Sequence, residues 1–191
     1  MTFRNTAWLA GALAMSIGAG APAPLPAQTG IDRNPMVGGA PMYPYKTIMQ
    51  NAVASKDHTT LVAAVKAAGL VEVLEGPGPF TVFAPTDEAF AKLPPGTVES
   101  LLKPENKGGL VKVLTYQVVA GKMTASRIRS AITAGGGTAT LTTIEGEPLS
   151  CSLYDDRIVL TDVKGGRATI TIGNVFQSNG LIHVIDAVLM P

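Results

Sequence analysis

The stretch Phe80-Thr81-Val82-Phe83-Ala84-Pro85-Thr86-Asp87-Glu88-Ala89-Phe90 reads as a strand that turns directly into a helix. Residues 80–84 are rich in β-formers and predict a buried strand, and Pro85, which has no N–H to donate, ends it. Thr86 is a good N-cap, because its hydroxyl can accept from an orphan amide of the first helical turn. Asp87 and Glu88 fall in that turn, where the helix dipole favours negative charge, and this structural role accounts for them without catalysis. Upstream, residues 47–54 predict a short helix. Asp57 is expected to cap a second one, in which Leu61, Val65 and Ala68 share a face before Gly69 stops it. His58, beside that cap, is expected to be exposed. Residues 70–74 add a further turn or two before Gly76-Pro77-Gly78-Pro79 breaks the chain. Downstream, residues 95–102 and 108–116 predict helices and 117–119 a short strand. Thr124 should cap a helix running to about Thr133.

From residue 138 the period switches from helical to alternating. Residues 138–143, 147–154, 157–162, 168–172 and 181–185 read as strands. Turn signals separate them: Glu145-Gly146, Asp155-Asp156, Lys164-Gly165-Gly166, Gly173-Asn174 and Asn179-Gly180. A helical half followed by a run of antiparallel strands predicts an α+β fold, with helices packed on one side of a β-sandwich or curled sheet.

Composition narrows the function. The chain has 191 residues, 46% apolar and 15% charged, enough to build a core and too apolar for disorder. Lys and Arg total 15 against 14 acids, so the basic footprint of a nucleic-acid binder is missing. One cysteine and two histidines leave no intrachain disulfide and no multi-cysteine metal centre. No metal and no cofactor are expected.

Residues 1–27 read as a signal peptide: Arg4 precedes a small-residue apolar run, and cleavage is expected after Ala27. That run, Ala7 to Ala19, falls well short of the ~20 residues a membrane span needs. Residues 28–44 are Gly- and Pro-rich without periodicity and read as a linker or N-terminal arm, and residues 45–191 as one domain. The exported chain should be extracellular or periplasmic, with no membrane insertion. Cys151 alternates with serines in Leu149-Ser150-Cys151-Ser152-Leu153, which places it on the apolar face of a strand, buried and reduced.

Enzyme templates fail in turn. There is no G-x-S-x-G, no P-loop and no H-E-x-x-H, and Gly135-Gly136-Gly137 precedes a strand rather than a helix. Asp155-Asp156 are expected to be solvated in a hairpin turn, and Lys122, Arg127 and Arg129 a solvated cluster. His183 stands among apolar neighbours in Leu181-Ile182-His183-Val184-Ile185 and needs a hydrogen-bond partner. A core histidine is the bland reading, a ligand-binding one the alternative.

Two stretches resemble the fasciclin (FAS1) domain family. One is Thr81 to Phe90, quoted above. The other is Asn179-Gly180-Leu181-Ile182-His183-Val184-Ile185-Asp186-Ala187-Val188-Leu189-Met190-Pro191, with Leu114-Thr115-Tyr116-Gln117-Val118-Val119-Ala120-Gly121-Lys122 between them in the family's order. The resemblance covers roughly residues 45–191. It implies a wedge-shaped antiparallel β-sandwich with a helical layer, and a non-catalytic adhesion or binding module. Its partner would be a cell-surface or extracellular-matrix protein or glycan, with weak self-association as a further expectation. Tyr116, Gln117 and His183 would mark the binding region, with Asp87 and Asp186 orienting it.

Two positions depart from the family pattern. Gln117 stands where the family's Tyr-His motif has histidine, so that side chain cannot titrate. Asn174-Val175 stands where animal integrin-binding members have Asp-Ile, and the lost carboxylate argues against integrin contact by that route. The rival expectation is a periplasmic small-ligand carrier or an accessory subunit of an envelope complex. A hydrolase would need a nucleophile–base pair created by tertiary proximity, for instance Ser or Thr near His183.

Overall fold

The two stretches that carry the family resemblance lie side by side. In the computed structural model, which describes residues 35–191, β3 (Phe80–Pro85) and β9 (Gly180–Ile185) are parallel neighbours, with Phe83 opposite His183 and Ala84 opposite Val184. They sit within a seven-stranded sheet completed by β4 (Val118–Ala120), β5 (Thr138–Thr142), β6 (Pro148–Tyr154), β7 (Arg157–Thr161) and β8 (Arg167–Gln177). The strand order is β4-β3-β9-β8-β7-β6-β5, and every pairing except β3 with β9 is antiparallel. A bridge between Val119 and Thr143, with the Ile144 amide donating to the Val118 carbonyl at 2.7 Å, joins the two edges. The sheet therefore curls nearly into a barrel. The α+β class expected from the sequence holds, and its two β layers are one continuous sheet.

Successive residues of a strand point to opposite faces, and here both faces of the central pair are covered. Val82, Ala84, Ile182 and Val184 pack into one apolar cluster with the helices, while Phe83 and Ile185 pack into a second inside the curled sheet. All six residues of β9 are buried. This is why the stretch reads as a mostly apolar run, interrupted by His183, rather than an alternation. The first cluster is closed by α1 (Ile48–Ala52), α2 (Thr59–Ala68), α3 (Val71–Glu75), α4 (Asp87–Ala91), α5 (Thr97–Leu101) and α6 (Lys107–Tyr116). The second is plugged by α7 (Ala125–Ala134), through Ile128 and Ile132. Burying each such side chain is worth about 1.5–3 kcal/mol.

Local signals account for most of these elements. Thr47 and Gln50 form a reciprocal capping box on α1, Thr86 caps α4 through the Ala89 amide, and Thr124 caps α7 through the Arg127 amide. Asp155 and Asp156 both have positive φ, 47° and 61°, as a tight two-residue hairpin between β6 and β7 requires. Cys151 is fully buried on β6, and desolvation pushes its thiol up to about 12.

Several expectations change. Asp57 does not cap α2; the N-cap is His58, which is buried rather than exposed and makes no side-chain cap bond. Gly173-Asn174 is a bulge inside the long strand β8, with Asn174 at φ 59°, rather than a turn between strands. Leu153 is partly exposed, because β6 is nearing its hairpin turn there. Arg129 is not simply solvated: it pairs with Asp156. The described part of the 28–44 stretch forms a hairpin of β1 (Met36–Val37) and β2 (Ala40–Pro41), with Val37 and Met42 buried in the first cluster. Residues 1–27, read as the signal peptide, lie outside the described residues.

Asn179 joins distant elements at the head of β9. Its side-chain oxygen accepts from the Ile48 amide at 3.0 Å, and its amide donates to the Leu74 and Gly76 carbonyls at 2.7 and 3.1 Å. Replacing it leaves three backbone groups short of a partner, each costing about 1 kcal/mol or more. Asn179→Ala should lower the urea midpoint by an amount equivalent to about 2 kcal/mol, whereas Ser178→Ala, at an exposed neighbour, should leave it unchanged.

Candidate functional site

The residues singled out in the sequence fall into separate places. His183, on β9, is fully buried and stacks against Phe83 with ring centroids 5.7 Å apart. Its Nε2–H donates to the Met123 carbonyl at 2.8 Å, which leaves Nδ1 to accept, at a long 3.4 Å, from the Asn174 amide. Both ring nitrogens are thus committed in the neutral form. Burial lowers the histidine's pKa, and the Met123 bond offsets that in part.

Asn174 works on the same loop, its side-chain oxygen accepting from the Ala125 amide at 2.8 Å. Thr81 completes the arrangement: its hydroxyl donates to the Gly121 carbonyl at 2.6 Å and accepts from the Met123 amide at 2.8 Å. Three polar side chains from β3, β8 and β9 therefore latch residues 121–125 and set where α7 enters the barrel. The positive φ of Asn174 is what turns its side chain toward that loop.

Tyr116 and Gln117 close α6. Tyr116 is fully buried in the second cluster, and its hydroxyl donates to the Pro148 carbonyl at 2.8 Å. Gln117 is 2% exposed and donates through Nε2 to the Leu189 carbonyl at 2.9 Å. Val175 is fully buried in the first cluster. Tyr116, Gln117, His183 and Val175 are thus buried, and Tyr116, Gln117 and His183, expected to mark the binding region, offer no exposed side chain of their own.

Asp87 and Asp186 lie apart from these. Asp87 accepts from the Thr59 amide (3.2 Å), the Thr59 hydroxyl (2.6 Å) and the Thr60 amide (2.8 Å), and so caps α2 from across the fold in place of His58. Desolvation raises its pKa, but the bonds from Thr59 and Thr60 outweigh that and hold the carboxyl below its ordinary value. Asp186 accepts from the Thr169 amide at 2.7 Å, and its carbonyl accepts from Lys92 at 2.7 Å.

Folding also creates a nucleophile–base contact that no local pattern marks: the Ser55 hydroxyl lies 2.9 Å from His58 Nδ1. Both residues are buried, and Gly38 of the β1–β2 hairpin sits so close over Ser55 that even a Cβ would collide with its hydroxyl. Asp57 and Asp87 act on the ring through charge, but Nε2 has no hydrogen-bond partner, so the pair lacks a hydrogen-bonded orienting acid as well as substrate access. Also missed was Asn51, which holds the Tyr43 backbone at both ends and donates to Gln177. Nothing local in the sequence marks either contact.

The exposed surface carries a different set. Tyr45 is 71% exposed and Phe176 48% exposed. Tyr43 and Tyr45 have ring centroids 5.2 Å apart, and Lys46 lies over the Tyr43 ring at 4.8 Å. The Ser178 amide donates to the Lys46 carbonyl, which brings this aromatic turn beside the end of β8 that bears Phe176.

Comparison with known proteins places this architecture. A family model described as the fasciclin domain matches residues 56–191. Protein sll1483 of Synechocystis sp. is 52% identical over 145 residues, 76% of this chain and 73% of that protein. Immunogenic protein MPB70 of Mycobacterium bovis is 33% identical over 148 residues, 73% of this chain and 68% of its own. Transforming growth factor-beta-induced protein ig-h3 of Sus scrofa is 37% identical over 133 residues, 69% of this chain but 17% of its own. Among solved structures, a FAS1 domain pair from the insect cell adhesion molecule fasciclin I superposes with a TM-score of 0.69 at 20% identity. That match covers 78% of this chain and about half, 52%, of the other.

Two pH dependences follow. His58 and His183 are both held below 6.5, chiefly by desolvation, so the unfolded chain takes up protons that the folded one refuses. Stability should fall as pH drops from about 7 to 5, and His183→Gln, although less stable overall, should show a shallower slope in urea titrations. Asp87 has the usual carboxylate sign: its cap is present above the ordinary value of 3.8 and is lost as pH falls below it. Asp87→Ala should cost about 1 kcal/mol or less at neutral pH, since the site is solvent-screened. That difference should vanish in acid.

Proposed function

The chain belongs to the fasciclin domain family, and from that membership we propose that it is an exported, non-catalytic binding module recognising protein or glycan surfaces. Fasciclin domains are generally non-catalytic adhesion modules, and the solved neighbour comes from a cell adhesion molecule. The Arg4-led apolar run of residues 1–27 supports export, to the periplasm or beyond. Among the described residues no helix is long and apolar enough to cross a membrane. The covered Ser55–His58 pair and the Cys151 thiol at about 12 argue against nucleophilic catalysis.

The observation that carries the reading is the aromatic turn Tyr43, Tyr45 and Lys46 beside Phe176. Exposed tyrosines offer rigid, amphipathic contact area at small entropic cost, and Lys46 adds a charge that is already oriented. Asn174 is occupied by the Ala125 amide and Val175 is buried, which supports a contact route other than that of the animal Asp-Ile pair. A single module of this size would attach weakly and gain from clustering. Purified protein displayed on beads should be retained on matrix-protein or glycan arrays, and Tyr45→Ala and Phe176→Ala should each weaken retention about three- to tenfold. Retention unchanged in both variants would remove this surface from the function.

A further inference from the structure

The outer face of the curled sheet has a composition that packing does not require. Along β5 to β8 the inward residues, among them Leu141, Cys151, Leu160 and Ala168, are buried in the second cluster. Their neighbours one position along point the other way, to solvent. There the register sets Thr140, Ser150, Thr161 and Arg167 in one row across the four strands. Thr138, Ser152, Val159 and Thr169 form the next row, and Tyr154 stands opposite Arg157 beyond it. The result is a band of six hydroxyls bordered by an aromatic ring and two guanidiniums.

The strands of this face carry charge of one sign. β5 to β8 contain Arg157 and Arg167 and no acid, and both arginines are exposed. Lys164, in the turn between β7 and β8, is exposed as well. Acids of the adjoining turns are mostly engaged elsewhere. Asp156 pairs with Arg129, and Asp162 is 7% exposed and accepts from the Lys164, Gly166 and Met190 amides. Glu145 approaches Lys112 at 3.9 Å and Glu147 is half-buried, while Asp155 is exposed at the hairpin tip beside Arg157.

Three cations are too few for a nucleic-acid footprint, and Val159 and Tyr154 supply too little apolar surface for the core of a protein interface. Hydroxyls repeated about every 4.8 Å across the strands suit a ligand that is itself covered in hydroxyls. The planar fork of arginine binds carboxylates in bidentate fashion. Arg167 lies opposite Thr161, one strand over and four residues along from Arg157, about 14 Å away, so a chain laid along β7 passes both.

We infer that the outer face of β5 to β8 binds an anionic polysaccharide of the uronic-acid class. Its carboxylates pair with Arg157 and Arg167, and its hydroxyls exchange hydrogen bonds with the Thr and Ser rows. The C–H face of one sugar ring stacks on Tyr154, which is 69% exposed. The inference goes beyond the adhesion reading by naming a ligand class. It uses the end of β8 opposite the one that bears Phe176, so either can fail without the other.

The test is NMR titration of the purified protein with hexagalacturonate. Its methyl ester serves as the same sugar without charge, and hexaglutamate as a run of carboxylates without the sugar. Saturable shifts centred on Thr140, Ser150, Ser152 and Thr161 are expected with hexagalacturonate, and about three- to tenfold weaker binding with either control. Arg157→Gln and Arg167→Gln should each weaken hexagalacturonate about threefold or more. Lys103→Gln, which removes an exposed charge beyond α5, should leave it unchanged. Thr161→Val, which suits a strand and removes only a hydroxyl, should weaken hexagalacturonate without altering hexaglutamate. No saturable shift with hexagalacturonate, or equal affinity for the methyl ester, would overturn the proposal. Equal affinity for hexaglutamate would reduce the face to a non-specific basic surface, and shifts centred on Tyr43 to Lys46 would move the glycan to that turn; either result overturns it too.

Discussion

The parallel pairing of β3 with β9 is the constraint on which the rest depends. It joins residues near the start of the domain to residues near its end, so the intervening chain must form a closed excursion that returns to the same place. Because both faces of the pair are covered, each face nucleates its own apolar cluster, one under the helices and one around α7. The edge-to-edge bridge at Val119 and Thr143 follows from the curl needed to wrap the second cluster. Closing the sheet also leaves fewer unpaired strand groups along these edges.

The polar residues buried in this frame hold loops in place. Thr81, Asn174 and His183 fix residues 121–125, Asn179 ties α1 and α3 to the head of β9, and Asp87 caps a helix that its own sequence leaves uncapped. These residue types invite a chemical reading, yet each spends its hydrogen-bonding capacity on backbone groups that would otherwise be orphaned. His183 illustrates the consequence: a ring with both nitrogens engaged and its pKa lowered is a poor base at neutral pH, and it makes a rigid strut.

The buried polar residues and the exposed aromatic ones are thereby separated in space. Tyr45 and Phe176 are exposed at the end of β8, where the arm folds back on the domain. Among the described residues the interior departs from full satisfaction at His58 Nε2 and Gln117 Oε1, which have no hydrogen-bond partner.

The sequence by itself determined the class of the fold, most element positions and the family. Helix caps such as Thr47, Thr86 and Thr124, the switch from helical to alternating period, and the Asp155-Asp156 turn act within a few residues of themselves, so they can be read locally. The β-rich residues 80–84 and 181–185 announced strands. Only the tertiary structure decided that these runs pair in parallel, that Asp87 serves α2 as well as sitting in the first turn of α4, and that His58 is buried. It also decided that Tyr116, Gln117 and Val175 face inward, which a local window cannot tell. Burial, hydrogen-bond satisfaction and cavity space are properties of what approaches a residue from elsewhere in the chain, and those approaches are fixed when the sheet closes.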